Sequence, residues 1–438
     1  MAASLRHPLS GLVWLAMAVI YLPILPAGVM LFAPALSATN WQRLLNDPQL
    51  PQATVATLVS TLIATLGALL IALFFVCLLW PGQRWRRLTT RLPWLLAIPH
   101  VAFATSALLL FAEGGLFYQL CTVCTAPFDR YGVGLGLTLA VKESAFVLWA
   151  IYAVLPEQRL AQQQAKGMLL CLFLLMLLAA LAALGYGLWR VWRRTIPDLA
   201  GTRRRSQRTL PERAFSGLLP ACGILCAAVL LMLAQGGDVG SVGTSLSFGL
   251  LSSLIALIVI FLWLEWGPQR RAAWVWSPLA LPALPLVTGQ YFIALRLGLD
   301  GRYAAVLWSH LLWVLPWMLL VLQPAWRRID PRLILTARTL GWRRAKIFLL
   351  LKCPLLVRPA LLAFAIGFSV SMAQYMPTLW LGAGRFATLT TETVALSSGG
   401  SIPTLANRAL GLLLVTGTVF GLAALLSRLA GRYRQGLR

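Results

Sequence analysis

Two places in this 438-residue chain put ionisable side chains where water is scarce. Lys142 and Glu143 are neighbours in the middle of an apolar run at about 132–155, and His310 holds the matching place in a second run at about 303–323. Charge at the depth of a hydrocarbon layer is costly, so such groups turn toward a partner or a wet cavity. Three kinds of chemistry fit them: passing a proton, lining the path of a polar solute, or fastening helices through an ion pair or hydrogen bond. Residue types alone leave all three open. Gln374, within Ser371-Met372-Ala373-Gln374-Tyr375-Met376-Pro377-Thr378-Leu379, adds a neutral amide to a third run, and His100 sits one turn into a fourth.

Other chemistries find little support. A phosphate-binding loop needs Gly-Lys followed by Ser or Thr. The four lysines, Lys142, Lys166, Lys346 and Lys352, precede Glu143, Gly167, Ile347 and Cys353, so no such loop exists here. Of seven cysteines, Cys121 and Cys124 form a lone Cys-x-x-Cys in a loop expected outside the membrane. A zinc site would need a second pair or nearby histidines, which leaves a local disulfide or two idle thiols. We therefore expect no catalytic residue, no metal and no cofactor in this chain, and no enzyme activity of its own.

The elements that must hold these residues are membrane spans. The chain is 59% hydrophobic and only 11% charged, with a mean hydropathy of +0.80. That excludes an ordinary soluble domain. The net charge of +25 does not point to nucleic acid, because the arginines cluster between apolar runs, which is the signature of cytoplasmic loops. A span needs about 20 apolar residues. About eleven runs qualify: near 11–36, 53–80, 93–112, 132–155, 167–189, 215–234, 244–266, 277–297, 303–323, 357–380 and 405–427. Ala35 to Ala38 could pass for a cleavage site, but the first run is long for a signal peptide and is expected to stay as an anchor. Trp80, Trp85, Trp94 and Trp326 fall at expected span ends, where indoles prefer the interface. The expected fold is an all-α polytopic membrane protein.

One charged, well-patterned segment lies between two of these runs, Asp330 to Pro359. Asp330-Pro331 offers an N-cap and a first-turn proline. Leu333, Ile334, Ala337 and Leu340 then recur at helical spacing, Gly341 can close that short helix in a left-handed turn, and a second helical run is expected to stop at Pro354. Such a helix either lies on the bilayer as a connector or docks onto a partner. Its spacing resembles the cytoplasmic Glu-Ala-Ala loop of permease subunits in binding-protein-dependent ABC importers. Ala337, Arg338, Leu340, Gly341 and Pro354 fall on that pattern; Leu335 stands where the Glu would be, Thr336 replaces the first Ala, and Cys353 the Leu before the Pro. Gln374 likewise stands where a glutamate occurs in many such permeases, which argues against a cationic solute bound there. The stretch Gln374–Leu379, then Ser397-Ser398-Gly399-Gly400-Ser401 and Arg434 to Arg438, is most similar to YnjC-type permeases, relatives of the thiamine and ferric-iron carriers.

The chain reads as a tandem duplication. Leu58-Val59-Ser60-Thr61-Leu62-Ile63-Ala64 resembles Leu250-Leu251-Ser252-Ser253-Leu254-Ile255-Ala256, Leu96-Ala97-Ile98-Pro99 resembles Leu279-Ala280-Leu281-Pro282, and Val154-Leu155-Pro156 echoes Val321-Leu322-Gln323-Pro324. The expected division is 1–189 for the first half, a basic cytoplasmic linker at 190–213, and 214–438 for the second half with its loop at 330–359. The first half reads as incomplete. After Pro324 come a loop of about thirty residues, a span, an external loop and a final span; after Pro156 come only Glu157 to Lys166 and the run 167–189. With the N-terminus inside, four spans return the chain to the cytoplasm at Glu157, and one more would export the very basic linker, against the positive-inside rule. Loss of one coupling loop and one span explains both facts. A first-half segment that fails to span is the other explanation.

The resemblance implies a permease in a bacterial inner membrane. It implies cytoplasmic ATPase subunits that bind ATP, a periplasmic solute-binding protein, and alternating access around one central path. On that view Ala337, Arg338, Gly341 and Pro354 belong to the ATPase-coupling loop, and Lys142, Glu143, His310 and Gln374 to the path. Two further readings stay open at this point: a secondary transporter using Lys142–Glu143 and His310 as a proton relay, and a remnant permease without transport.

Overall fold

The computed structural model describes residues 8–80, 83–112, 115–120, 129, 131–154, 210–236, 241–267 and 272–432, and these are helical throughout, with no strand among them. The sequence requires this. In hydrocarbon every backbone N–H and C=O must be satisfied within the segment, and runs rich in Leu and Ala do so as helices. The expected run at 167–189, the linker at 190–213 and the Cys121–Cys124 pair lie outside the described residues.

Helices α1 (Pro8–Tyr21), α2 (Ile24–Phe32), α3 (Ala38–Leu45), α4 (Leu50–Leu79), α5 (Gln83–Leu96), α6 (His100–Phe111), α7 (Leu116–Leu120) and α8 (Val133–Val154) come first. Then follow α9 (Leu210–Leu233), α10 (Val242–Trp266), α11 (Ser277–Ala280), α12 (Ala283–Arg296) and α13 (Tyr303–Arg327). The last stretch holds α14 (Pro331–Thr339), α15 (Arg344–Ile347), α16 (Cys353–Leu355), α17 (Val357–Met372), α18 (Met376–Leu381), α19 (Leu389–Ser397) and α20 (Ile402–Arg432). Among the described residues seven apolar helical stretches are long enough to cross a membrane, or up to nine if each of two bent pairs is one span. The expected span at 277–297 is one of those pairs: it bends by 116° between α11 and α12, where Pro282 cannot donate the helical hydrogen bond. The run near 215–234 is the shorter apolar helix Gly217–Leu233.

The described residues form two compact units that interleave along the chain. One holds those within Met1–Asn46, Ala97–Ser106 and Leu230–Arg438; the other holds those within Asp47–Leu96 and Ala107–Val229. So α1 and α2 pack with the helices of the later sequence, and α9 up to Val229 groups with those of the earlier sequence.

In the unit that contains the later sequence, α13 is central, packed against α10 and α17, with α20 against α17. Close approach follows from small residues. Ser245, Gly249, Ser252, Ser253 and Ala256 are buried on α10, and a Cβ on Gly249 would lie 2.5 Å from the Phe368 ring. Helices α1 and α2 are fastened here by specific bonds as well as by apolar area. The Tyr21 hydroxyl donates to the Val275 carbonyl at 2.8 Å and the Trp308 indole to the Val19 carbonyl at 3.0 Å. Gly289 admits the backbone of Pro23 and Ala27; a Cβ there would sit 2.6 Å from the Pro23 oxygen.

In the other unit α4 and α8 form the main pair. Glycine again sets the distance, since a Cβ on Gly67 would meet the Ala140 Cβ at 2.7 Å. Ahead of α8, the Asp129 carboxylate accepts from the amides of Val133 at 2.7 Å and Gly134 at 2.8 Å, capping free N–H groups at the positive end of the helix dipole. Slight desolvation raises this carboxyl, but backbone amides at residues 132–135 outweigh it and hold the group below the usual carboxylate range.

Candidate functional site

The segment after α13 folds as its sequence predicts up to Gly341. The Asp330 carboxylate accepts from the Arg332 amide at 2.9 Å, and Pro331 takes the first helical position. At the other end the Trp342 amide donates to the Ala337 carbonyl at 3.0 Å and the Gly341 amide to the Arg338 carbonyl at 2.9 Å. That double bond pattern closes a helix only when the residue between adopts a left-handed conformation, and Gly341 has φ 76°. Of α14 only Ala337 is buried. Leu333, Leu335 and Leu340 are exposed by 40%, 64% and 69%, beside exposed Arg332 and Arg338. Leu335 occupies the place expected for a carboxylate; helical spacing sets it between Arg332 and Arg338, while Leu333 and Leu340 share the side of Ala337.

Beyond Gly341 the second helical run ends at Leu355, one residue past the expected stop. It passes through a wider π turn at Phe348–Lys352 that the sequence did not predict, and a 74° bend falls between Leu355 and Val357. A π turn shifts the hydrogen-bond ladder by one residue just ahead of Pro354, the second residue of α16, where a missing N–H costs little.

This second part is mounted on α10 and α13. Glu265, 4% exposed, accepts from Arg344 Nε at 2.8 Å, and its other carboxylate oxygen accepts from Lys352 Nζ. A second Arg344 nitrogen donates to the Glu265 backbone carbonyl. The guanidinium lies 5.8 Å from the Trp266 ring and the Lys352 ammonium 4.7 Å from the Trp326 ring. Phe348, between the two cations, packs on Phe261, Trp266 and Trp326. Reading the sequence missed Glu265. The signal was available: it is the only acidic residue between Asp238 and Asp300, and it ends an apolar run.

His310 and Gln374 meet at one small niche inside the bundle, lined also by Ser245, Phe248, Ser371, Met372, Thr378 and Thr388. The hydrogen bonds assign the imidazole. Thr378 donates its single hydroxyl proton to the Gln374 carbonyl at 2.7 Å, so it accepts from His310 Nε2–H at 2.9 Å. His310 Nδ1 then accepts from the Ser371 hydroxyl at 2.7 Å. One neutral tautomer satisfies every partner and ties α13 to α17 and α18 across the break at 373–375. Gln374 donates to the Val370 carbonyl at 3.2 Å and is half-buried. No carboxylate lines the niche. Ser371 and Thr378, both buried, escaped sequence reading because hydroxyls in apolar helices usually bond their own backbone.

Lys142 and Glu143 belong to the other unit. Lys142 is buried, and its ammonium lies 3.4 Å from the Leu95 carbonyl, next to the break before Pro99 where α5 ends. A cation there completes carbonyls that no helix bond satisfies. Glu143 is half-buried and also has an interaction partner. His100 is exposed at the first position of α6. Among the described residues no group of three or more His, Cys, Asp or Glu could hold a metal ion.

No known family profile matches the chain. It is 52% identical to a protein of Escherichia coli (strain K12) described as "Inner membrane ABC transporter permease protein YnjC", over 511 aligned positions that cover the whole of both chains. This chain has 438 residues, so 73 of those 511 positions face no residue of it.

Proposed function

Because this chain belongs to the permease subunits of ABC transporters, multi-pass proteins of the inner membrane, we propose that α14 is the helix through which a cytoplasmic ATPase subunit drives it. The observation that carries the proposal is three exposed leucines, Leu333, Leu335 and Leu340, on a helix locked at both ends, by Asp330 and by the left-handed turn at Gly341. A slack surface connector needs neither lock. ATP is bound and hydrolysed on the partner, since no phosphate loop occurs here. The direction is import, with a periplasmic binding protein delivering a small polar solute. The path runs past His310 and Gln374 in one half and Lys142 and Glu143 in the other. A niche of hydroxyls, imidazole and amide without a carboxylate favours a neutral or anionic solute over a cation. His310, satisfied on both nitrogens by neutral hydroxyls, is poorly placed to relay protons, which disfavours a gradient-driven mechanism.

The first half works without its own coupling helix. From Pro324 to the final run at 405 is 81 residues, whereas from Pro156 to the run at 167 is 11, a difference of 70. The 73 unmatched positions of the alignment with the E. coli relative are of the same size. Loss of one coupling loop with its span and external loop accounts for both numbers, and the protein then either couples through a single ATPase contact or is a remnant without transport.

The docking test is Gly341→Val in the chain purified with the ATPase that accompanies it. A β-branched residue cannot adopt the left-handed turn without strain. Insertion should be unchanged and ATP hydrolysis per complex largely lost; undiminished hydrolysis would refute docking. Topology reporters fused after Lys166 and within Gly201–Arg205 test the shortened half. A single crossing between them supports loss, and two cytoplasmic reports replace it with a segment that does not span.

A further inference from the structure

We propose that Glu265 is the positioning residue of the coupling segment: its carboxylate clamps Arg344–Lys352 to the end of α10, so that movement of α14 is passed to the spans instead of being absorbed in a loop. The functional consequence rests on the docking of α14 proposed above. Three observations point the same way. First, one buried carboxylate receives both ends of the segment, Arg344 at its start and Lys352 at its close. Each cation also faces an indole, Arg344 that of Trp266 on α10 and Lys352 that of Trp326 on α13. The segment is thus held by two spans at once. Second, the two parts of the loop differ in attachment. Helix α14 buries only Ala337, whereas Ile347 and Phe348 are buried in the mounted part. A push on α14 reaches the membrane by two routes, through residues 328–330 to α13 and through Gly341–Arg343 to this mount.

Third, the first half has the same helix end without the carboxylate. The sequence at the end of α10 reads Leu264-Glu265-Trp266-Gly267-Pro268-Gln269-Arg270, and that at the end of α4 reads Leu78-Leu79-Trp80-Pro81-Gly82-Gln83-Arg84. Six of the seven positions hold the same residue or its Gly/Pro exchange, and the seventh is Leu79 opposite Glu265. The half without a coupling loop is the half without the anchor. Leu79 is buried, and an acid in its place would need a cation to offset that burial, which leucine does not.

Glu265→Gln keeps the size of the side chain and removes its charge. Hydrogen–deuterium exchange of the full chain in nanodiscs should show amides of 344–352 exchanging at least about tenfold faster, because charge-assisted bonds hold them closed. Amides of α13 should keep their wild-type rates. Glu265→Asp, which retains the charge, should fall between. Arg344→Gln, at a side chain 47% exposed, provides a milder version that cannot unfold the bundle. In complexes purified with their ATPase, Glu265→Gln should lower ATP hydrolysis several-fold at unchanged ATPase content, with Asp restoring part of it. Exchange within twofold of wild type in Glu265→Gln overturns the clamp. Faster exchange with unchanged hydrolysis overturns the coupling role and leaves a brace. If the wild-type chain recruits no ATPase, the docking reading fails and takes the coupling role with it, while the exchange result still decides the clamp.

Discussion

Helices α8 and α13 hold matching places in the two halves of the sequence and are treated differently by the fold. The most apolar 18-residue window of α13 is 72% buried, and that of α8 is 33% buried. Among the described residues, helix α13 packs against α10, α17 and α18, while the main partner of α8 is α4, with α5 beside it. The polar residues differ accordingly. His310 is enclosed by hydroxyls from two neighbouring helices, and Lys142 reaches one carbonyl where α5 breaks off. A helix surrounded by partners can satisfy a buried polar group with neutral hydrogen bonds from several directions. A helix with one main partner must place its charge at a helix end, where carbonyls are already free. Burial of a polar residue is thus a property of the neighbourhood, and identical sequence positions need not share a role.

Four substitutions break or sharpen that contrast, each read from the unfolding midpoint in detergent. The largest effect is expected for Gly67→Leu. Helix α8 depends on α4, and a bulky side chain at their closest approach should cost about 3 kcal/mol. Full retention of stability would mean that α8 has a stronger partner elsewhere. Next, His310→Leu leaves the Ser371 hydroxyl without its acceptor and should cost about 2 kcal/mol. A neutral outcome would show that the hydroxyls rebond to their own backbones. Lys142→Met should change stability by less than about 1 kcal/mol in either direction, since a single long hydrogen bond barely offsets the cost of burying the charge. A loss as large as that at His310 would erase the distinction drawn between the two helices.

The smallest effect is expected at the exposed start of α8. The Asp129 carboxyl is held below its ordinary range in the folded chain, so its contribution is present above the unfolded carboxyl value of about 4 and is lost as pH falls through the folded value. Asp129→Asn should flatten that part of the pH profile and leave neutral-pH stability within a few tenths of a kcal/mol. An unchanged acid limb would remove the capping role.

Much of this protein was legible in its sequence. The apolar runs dictate helices, because hydrocarbon admits few other backbones, and the arginine clusters orient them. The short helix at 331–339 and its turn were legible to the residue, since a cap at Asp330 and a left-handed glycine at 341 depend on neighbours only a few positions away. The second helical run ends at Leu355, one residue past the expected stop at Pro354, whereas the π turn at Phe348–Lys352 left no mark in the residue pattern. The shortening proposed for the first half rests on an imbalance between two copies of one pattern, the shorter of them in residues outside those the structure describes. Tertiary structure alone decided the partners: Glu265 with residues 79 and 87 positions away, His310 with hydroxyls 61 and 68 positions away, and α1 and α2 with helices of the later sequence. Hydrophobicity and capping are set by nearest neighbours along the chain, so sequence carries them directly. Which polar atom answers another across a bundle depends on how closely glycines such as Gly249 and Gly289 let helices approach, and that distance exists only once they have packed.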